Sequence, residues 1–445
     1  MTPRVLLASL LLLAGCDSET CTVTEDSSGA KKIVCPDGTS AILVEDTWGP
    51  ALIRLEQEPP GSNCRAGGTK VLAGADTNRD GVLQDTEVAD TSYLCSDASI
   101  PCTRLEGSLL IENGFDWLNL VEAGCTEISG DLVIRTTGAA TLPGASPVKT
   151  IGGKLAVEGN TALTNLDWLS GLTSLGGDLH ILRNPALTSL AGLGSVTSVG
   201  GDLYIQDNAT LPSLGGLDSL DSVGGSLSLS WNPALASLAE LNALSSIKRL
   251  VIFEEDSLTS LSGLDSLASV RDSVQIDRND NLETLDGLGA LTTVGGMIEI
   301  DGNNRLAALT GLNSLTGIEA DWNGNSLAIR NNPVLASIQA LSSLSSLSGS
   351  LVVANNAILP NLSGLESLTT IGKNEFADQS LTIEENPALT DLEGLDGLTS
   401  VAGNLTILNN ITLPQCFALD LKDHLASAHA WSGTFTISGN SETCP

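Results

Sequence analysis

Between Leu109 and Asn440 the chain repeats itself about every 24 residues, and a period of that length leaves few folds open. Two clear copies are GGDLHILRNPALTSLAGLGSVTSV, from Gly176 to Val199, and GGDLYIQDNATLPSLGGLDSLDSV, from Gly200 to Val223. Each holds a short alternating strand, an Asn, and leucines three or four apart. A unit this small cannot bury its own apolar face; stacked units can, so the repeat predicts a solenoid. The first strand residue recurs from Leu109, Leu132, Leu155 and Leu179 through to Leu405 and Phe435, which predicts about 14 coils. Three steps are longer than the rest, near Ala320 to Asn325, Lys373 to Gln379 and Ala418 to Ser432. The expected fold is mainly β: a right-handed parallel β-helix or leucine-rich solenoid. At about 4.8 Å per rung it would form a rod on the order of 65 Å long.

Most of the recurring polar positions are scaffold. Asn160, Asn184, Asn208, Asn232, Asn279 and their later equivalents follow the strand Leu at a fixed offset. A buried amide repeated in this way pairs backbone groups that an apolar core would leave unsatisfied. The Gly-Gly pairs beginning at Gly152, Gly176, Gly200, Gly224 and Gly295 predict tight corners; no Lys-Ser/Thr follows them, so they are not phosphate loops. A strand of period two sends alternate residues outward, and most of these are small or polar. The exception is His180, Leu182, Tyr204, Gln206, Trp231, Val251 and Phe253. Aromatics are only 3% of the chain, so their clustering makes His180, Tyr204, Gln206, Trp231 and Phe253 a candidate ligand patch.

Lys plus Arg number 20 against 53 Asp plus Glu, a net charge of −33. No basic surface is available to displace phosphate counterions, so nucleic acid is not an expected partner. At the N-terminus Arg4 precedes an apolar run, Val5 to Leu13, too short to span a bilayer. The run ends in Leu13-Ala14-Gly15-Cys16, which resembles the bacterial lipobox. That resemblance implies a signal peptide over 1–15, cleavage before Cys16, and a lipid on Cys16 that anchors the protein to a membrane. The cell surface or outer membrane is expected ahead of the inner membrane. Of nine cysteines, eight then remain for an oxidising compartment. Eight allow 105 connectivities. Spacing favours neighbours: Cys21–Cys35, Cys64–Cys95, Cys102–Cys125 and Cys416–Cys444. Residues 16–62 read as a lipidated tether with a small disulfide hairpin, and 63–97 as a Cys-bracketed module.

That module carries the most specific motif in the chain. Asp76, Asn78 and Asp80 supply oxygens at the first, third and fifth places of a twelve-residue loop, and Gly81 allows its sharp turn. The Val82 carbonyl, Gln84 and a closing bidentate Glu87 complete the set that Ca²⁺ needs, six to eight hard oxygens gathered by one loop. The loop resembles an EF-hand, but Thr69 to Ala75 does not read as an entering helix. The module is similar to Cys-bracketed calcium-loop domains that follow lipoprotein signals in myxobacterial surface proteins. The resemblance implies one structural Ca²⁺.

Residues 102–445 resemble the receptor L-domain, the leucine-rich single-stranded β-helix of insulin and EGF receptor ectodomains. The resemblance rests on Cys102, the strand Leu109 to Ile111, a helix-like Phe115 to Glu122, Cys125, and the end piece from Cys416 to Cys444. It implies a fold and does not supply a ligand. The leading expectation is a non-catalytic surface protein that binds a protein or glycan, or serves as an envelope spacer. The alternative is a calcium-dependent polysaccharide-processing enzyme of β-helix type, with Asp277, Glu299 and Asp301 on neighbouring rungs and Arg278 and Arg330 beside them.

Overall fold

The computed structural model describes residues 22–25, 31–34, 40–42, 51–58, 68–75, 77, 83–95, 102–136, 138–427, 431 and 433–444. The chain divides into two units, the first made of residues 1–103 and 122–125, the second of 104–121 and 126–445. The first unit holds two antiparallel sheets. One joins Thr22–Glu25, Lys31–Val34 and Ser40–Ile42; the other joins Ala51–Glu58, Gly68–Ala75 and Val88–Cys95. The segment that enters the acidic loop is thus a strand, in keeping with its Gly-bounded, β-prone sequence.

The second unit is a parallel β-solenoid. Its main wall is a sheet of 14 strands, from Leu109–Ile111 to Phe435–Ser438, each paired with the equivalent strand of the next coil. The register follows the repeat: Leu155, Leu179, Leu203, Leu227 and Leu250 stand side by side. Two-residue strands such as Ser198–Val199 build a second wall, in sheets of six and seven strands. A third wall carries short 3-10 turns, for example Ala191–Leu193. Alternation sends Leu179 and Ile181 inward, where Leu187, Leu190, Leu193, Val196 and Val199 meet them, all 0–1% exposed. Each coil therefore closes over leucines that its neighbours cover from both sides, as quasi-one-dimensional stacking requires.

The Asn column runs through this core as a chain of hydrogen bonds. Asn184 donates from its backbone N and its Nδ2 to Asn208 Oδ1, both at 3.1 Å, and from Nδ2 to the Val157 carbonyl at 2.9 Å. Asn208, Asn279 and Asn303 repeat the pattern. The residue just before each ladder position takes a left-handed conformation, as at Arg183 (φ 56), Asp207 (φ 59) and Asn331 (φ 54), which turns the chain from the strand into the corner. The Gly-Gly corners need glycine for a different reason. A Cβ on Gly176, Gly200 or Gly224 would fall on the carbonyl of the equivalent glycine one coil earlier.

Both ends of the array carry a helix. In Gly114–Ala123 the ring of Trp117 is fully buried, donates to the Pro143 carbonyl at 2.9 Å and meets Trp168 edge-on at 4.6 Å. In Gln415–Ser427, Ala418, Leu421 and Leu425 form the buried stripe. The Cys102–Cys125 and Cys416–Cys444 disulfides are formed. Cys16, Cys21, Cys35 and Cys64 lie outside the described residues, as does the side chain of Cys95. Among the described residues, no helix is long and apolar enough to cross a membrane.

Candidate functional site: the outer face of the main sheet

Strand register places the outward residues of successive coils in columns. His180 stands beside Tyr204 and then Ser228; Leu182 stands beside Gln206, Ser230 and Phe253. His180 and Tyr204 are half-buried with ring centroids 5.0 Å apart, and the Tyr204 hydroxyl donates to Asp202 Oδ2 at 2.9 Å. Burial, with the Asp202 carboxylate next to it, pushes the Tyr204 hydroxyl up. Burial holds the His180 imidazole below its usual value, aided by Lys154, so the ring is neutral at physiological pH. The nearby Glu158 is held low against its own burial by the hydrogen bond and charge of Arg135.

One coil beyond Tyr204, Trp231 occupies the left-handed position at φ 56. Other coils place Asn, Asp, Arg, Glu or Gly there; a bulky aromatic is the least suited. Its ring is 43% exposed, packs edge-on against Phe253 at 5.1 Å and donates from Nε1 to Glu254 Oε2 at 2.8 Å. Arg278 closes the group, its guanidinium carbon 5.6 Å from the Phe253 ring centre and its Nη1 3.6 Å from Glu254. Tyr204, Trp231, Phe253 and Arg278 thus each have a hydrogen-bond, ring or charge partner on their own or an adjacent coil.

The same face continues into carboxylates. Asp277 pairs in register with Asp301, and Gln275 with Glu299; the next coil adds Arg330, 3.3 Å from Glu299. Asp277 is 7% exposed; Gln275 donates to its Oδ2 at 2.6 Å, and its Oδ1 is buried without a hydrogen-bond partner. Burial pushes Asp277 up to about 7, against the Gln275 hydrogen bond and with the charges of Glu299 and Asp301. Burial also raises Glu299, opposed by Arg330. No group of three or more metal-ligating side chains close enough to hold an ion occurs among the described residues.

In the first unit, Asp76, Asn78, Asp80 and Val82 lie outside the described residues. Gln84 and Glu87 are described. Glu87 is 8% exposed and its carboxylate gathers the loop: Oε1 accepts from Thr77 N at 2.8 Å and Thr77 Oγ1 at 2.7 Å, and Oε2 accepts from Gln84 N at 3.2 Å. Arg54 donates to the Leu83 carbonyl at 2.7 Å and pairs with Asp85, tying the strand Ala51–Glu58 to the end of the loop. The Glu87 carboxylate thus bonds to Thr77 near the start of the loop and to Gln84 near its end.

Two features escape a reading of the repeat. At one rung the ladder Asn is replaced by Glu255, fully buried between Asn232 and Asn279; a gap in the Asn series at that rung is its only sequence signal. Trp322 and Phe376 sit in two of the long steps and meet each other, although one repeat does not relate them. Their signal is the placement of scarce aromatics within insertions.

Residues 51–95 match the model of a domain of unknown function, DUF7151. That span coincides with the second antiparallel sheet and the loop it carries. No curated protein matches the chain. Among solved structures, the chain is similar to an internalin (inlF) from Listeria monocytogenes, with 16% identity, a TM-score of 0.37, and coverage of 65% of this chain and 81% of that one.

Proposed function

We propose that the chain is a non-catalytic binding scaffold of a bacterial cell envelope, anchored by a lipid on Cys16 and engaging a protein partner through the face that carries Tyr204, Trp231 and Phe253. A structural Ca²⁺ in the loop from Asp76 to Glu87 would stiffen the module between anchor and array. The observation that carries this reading is Trp231. A tryptophan at a left-handed position costs roughly 1–2 kcal/mol, and here it leaves much of its ring in water. Such a residue serves the fold poorly. Held by Phe253 and Glu254 on the next coil and bordered by Arg278, it has the composition and rigidity of a binding hot spot. Capture of envelope proteins by the whole chain tests the reading. Alanine at Tyr204, Trp231 and Phe253 together should abolish the capture, and Cys16→Ala should move the protein from the membrane fraction to the soluble fraction. Undiminished capture by the triple variant would remove the face from the proposal, and unchanged fractionation would remove the anchor.

A further inference from the structure

The two longest-exposed aromatics of the array stand away from that face. Besides the last step, of 30 residues from Asn410 to Asn440, the coil-to-coil step is 24 residues in most of the array, but it is 29 where Asn303 meets Asn332 and 30 where Asn356 meets Asn386. The extra residues form two loops, around Trp322 and Phe376, separated by a coil that has no insertion. Each loop is braced internally. Asp321 Oδ1 accepts from the backbone N–H groups of Asn323 and Asn325 at 2.9 and 2.8 Å. Asn374 Oδ1 accepts from Phe376 N and Ala377 N, both at 2.9 Å.

The loops also bind each other across the intervening coil. Glu375 N donates to the Asn323 carbonyl at 3.0 Å, and Asn374 Nδ2 to Asn325 Oδ1 at 2.7 Å. The approach requires Gly324, whose φ is 85 and where a Cβ would meet the Lys373 carbonyl oxygen at 2.6 Å. The outcome of this bracing is unusual: Trp322 is 82% exposed, Phe376 is 75% exposed, and their rings lie edge-to-face with centroids 6.0 Å apart. Two ordered loops therefore hold two large rings almost wholly in water, where neither contributes to the core. The charges around them are mostly negative. Glu319, Asp321, Glu375 and Asp378 belong to the same two loops, and the single cation, Lys373, is paired with Asp378 at 2.7 Å.

We infer that the Trp322–Phe376 pair is a second docking point, built to receive an arginine or lysine side chain from a basic segment of a partner protein. An indole face attracts a cation through its quadrupole, the edge-on phenyl ring fixes its orientation, and the carboxylates of both loops draw the charge in. The acidic surround disfavours an anionic membrane or a phosphorylated ligand.

The test uses the full chain and a fluorescently labelled peptide of alternating arginine and glycine, with the citrulline version as control, at physiological salt. Wild type should bind the arginine peptide and ignore the citrulline one. Trp322→Ala and Phe376→Ala should each weaken binding about tenfold, whereas Trp322→Phe should stay within about threefold of wild type. The net charge of −33 is common to every variant, so non-specific attraction cannot produce that pattern. Both side chains are exposed, so unchanged melting temperatures should accompany the loss. Equal affinity of Trp322→Ala and wild type, or no binding by wild type, would overturn the inference. So would capture of phosphatidylcholine vesicles or neutral oligosaccharides that Trp322→Ala abolishes, since the pair would then belong to a lipid or a glycan.

Discussion

Glu255→Gln is the sharpest test of how the solenoid core is held together. Glu255 is 0% exposed and stands where other coils have the ladder Asn. Its Oε1 accepts from Asn232 Nδ2 at 2.7 Å and from Asn232 N at 3.3 Å, while its own N–H donates to Asn279 Oδ1 at 3.0 Å. The ladder needs a donor at the remaining position, because Asn232 and Asn279 each donate from Nδ2 to a strand carbonyl of an earlier coil, Ile205 and Ile252. Glu255 Oε2 sits buried there with no hydrogen-bond partner, and only a protonated carboxyl can donate. Burial pushes its pKa from 4.5 up to about 8, against the two hydrogen bonds from Asn232. The sign follows from linkage. Between those two values the folded chain binds a proton that the unfolded chain does not, so stability is full below 4.5 and falls as pH rises through about 8. At about 1.4 kcal/mol per pH unit, the whole window amounts to roughly 5 kcal/mol, and about 3 kcal/mol of it is lost by pH 7. Glutamine keeps the shape and supplies the N–H without a proton. The variant should therefore match wild type near pH 4.5 and exceed it at pH 7 by an amount approaching that figure. Unfolding by denaturant across pH 4.5 to 8, with amide exchange at Asn232 and Glu255 as a local readout, measures the difference. A variant with the same pH slope as wild type, or one less stable at pH 7, would refute the argument.

Two further outcomes follow from the same physics. Asp277→Asn should flatten a separate part of the pH profile: the folded-state pKa is raised from 3.8 to about 7, so its contribution is full below 3.8 and is lost as pH rises through about 7. At the same roughly 1.4 kcal/mol per pH unit the expected gain at pH 7 is about 4 kcal/mol, and an unchanged melting temperature across that range would count against it. Calorimetric titration with CaCl₂ should fill one site in the module with a dissociation constant on the order of 10⁻⁴–10⁻³ M, and Glu87→Gln should remove it. Persistence of the binding in that variant would place the ion elsewhere.

The periodic part of this molecule was legible before any coordinate. Leu179, Ile181, Leu187 and Leu190 recur at an offset that also separates neighbouring coils, so the pattern that marks them in sequence is the pattern that packs them in space. The same holds for the Asn ladder, the Gly-Gly corners and the alignment of His180 with Tyr204. In a stack where each residue meets its equivalent one repeat away, register and sequence carry the same information. What the tertiary structure decided is whatever breaks that equivalence. The left-handed conformation of Trp231 depends on how the strand turns into its corner. The unmet donor position at Glu255 depends on the two coils that bury it. The bonding of Asn374 to Asn325, 49 residues away, depends on two insertions each leaning over a coil that lacks one. Repetition specifies the frame because every coil poses the same packing problem. Departures from it are settled by their neighbours, and the residues that bear on binding are found among those departures.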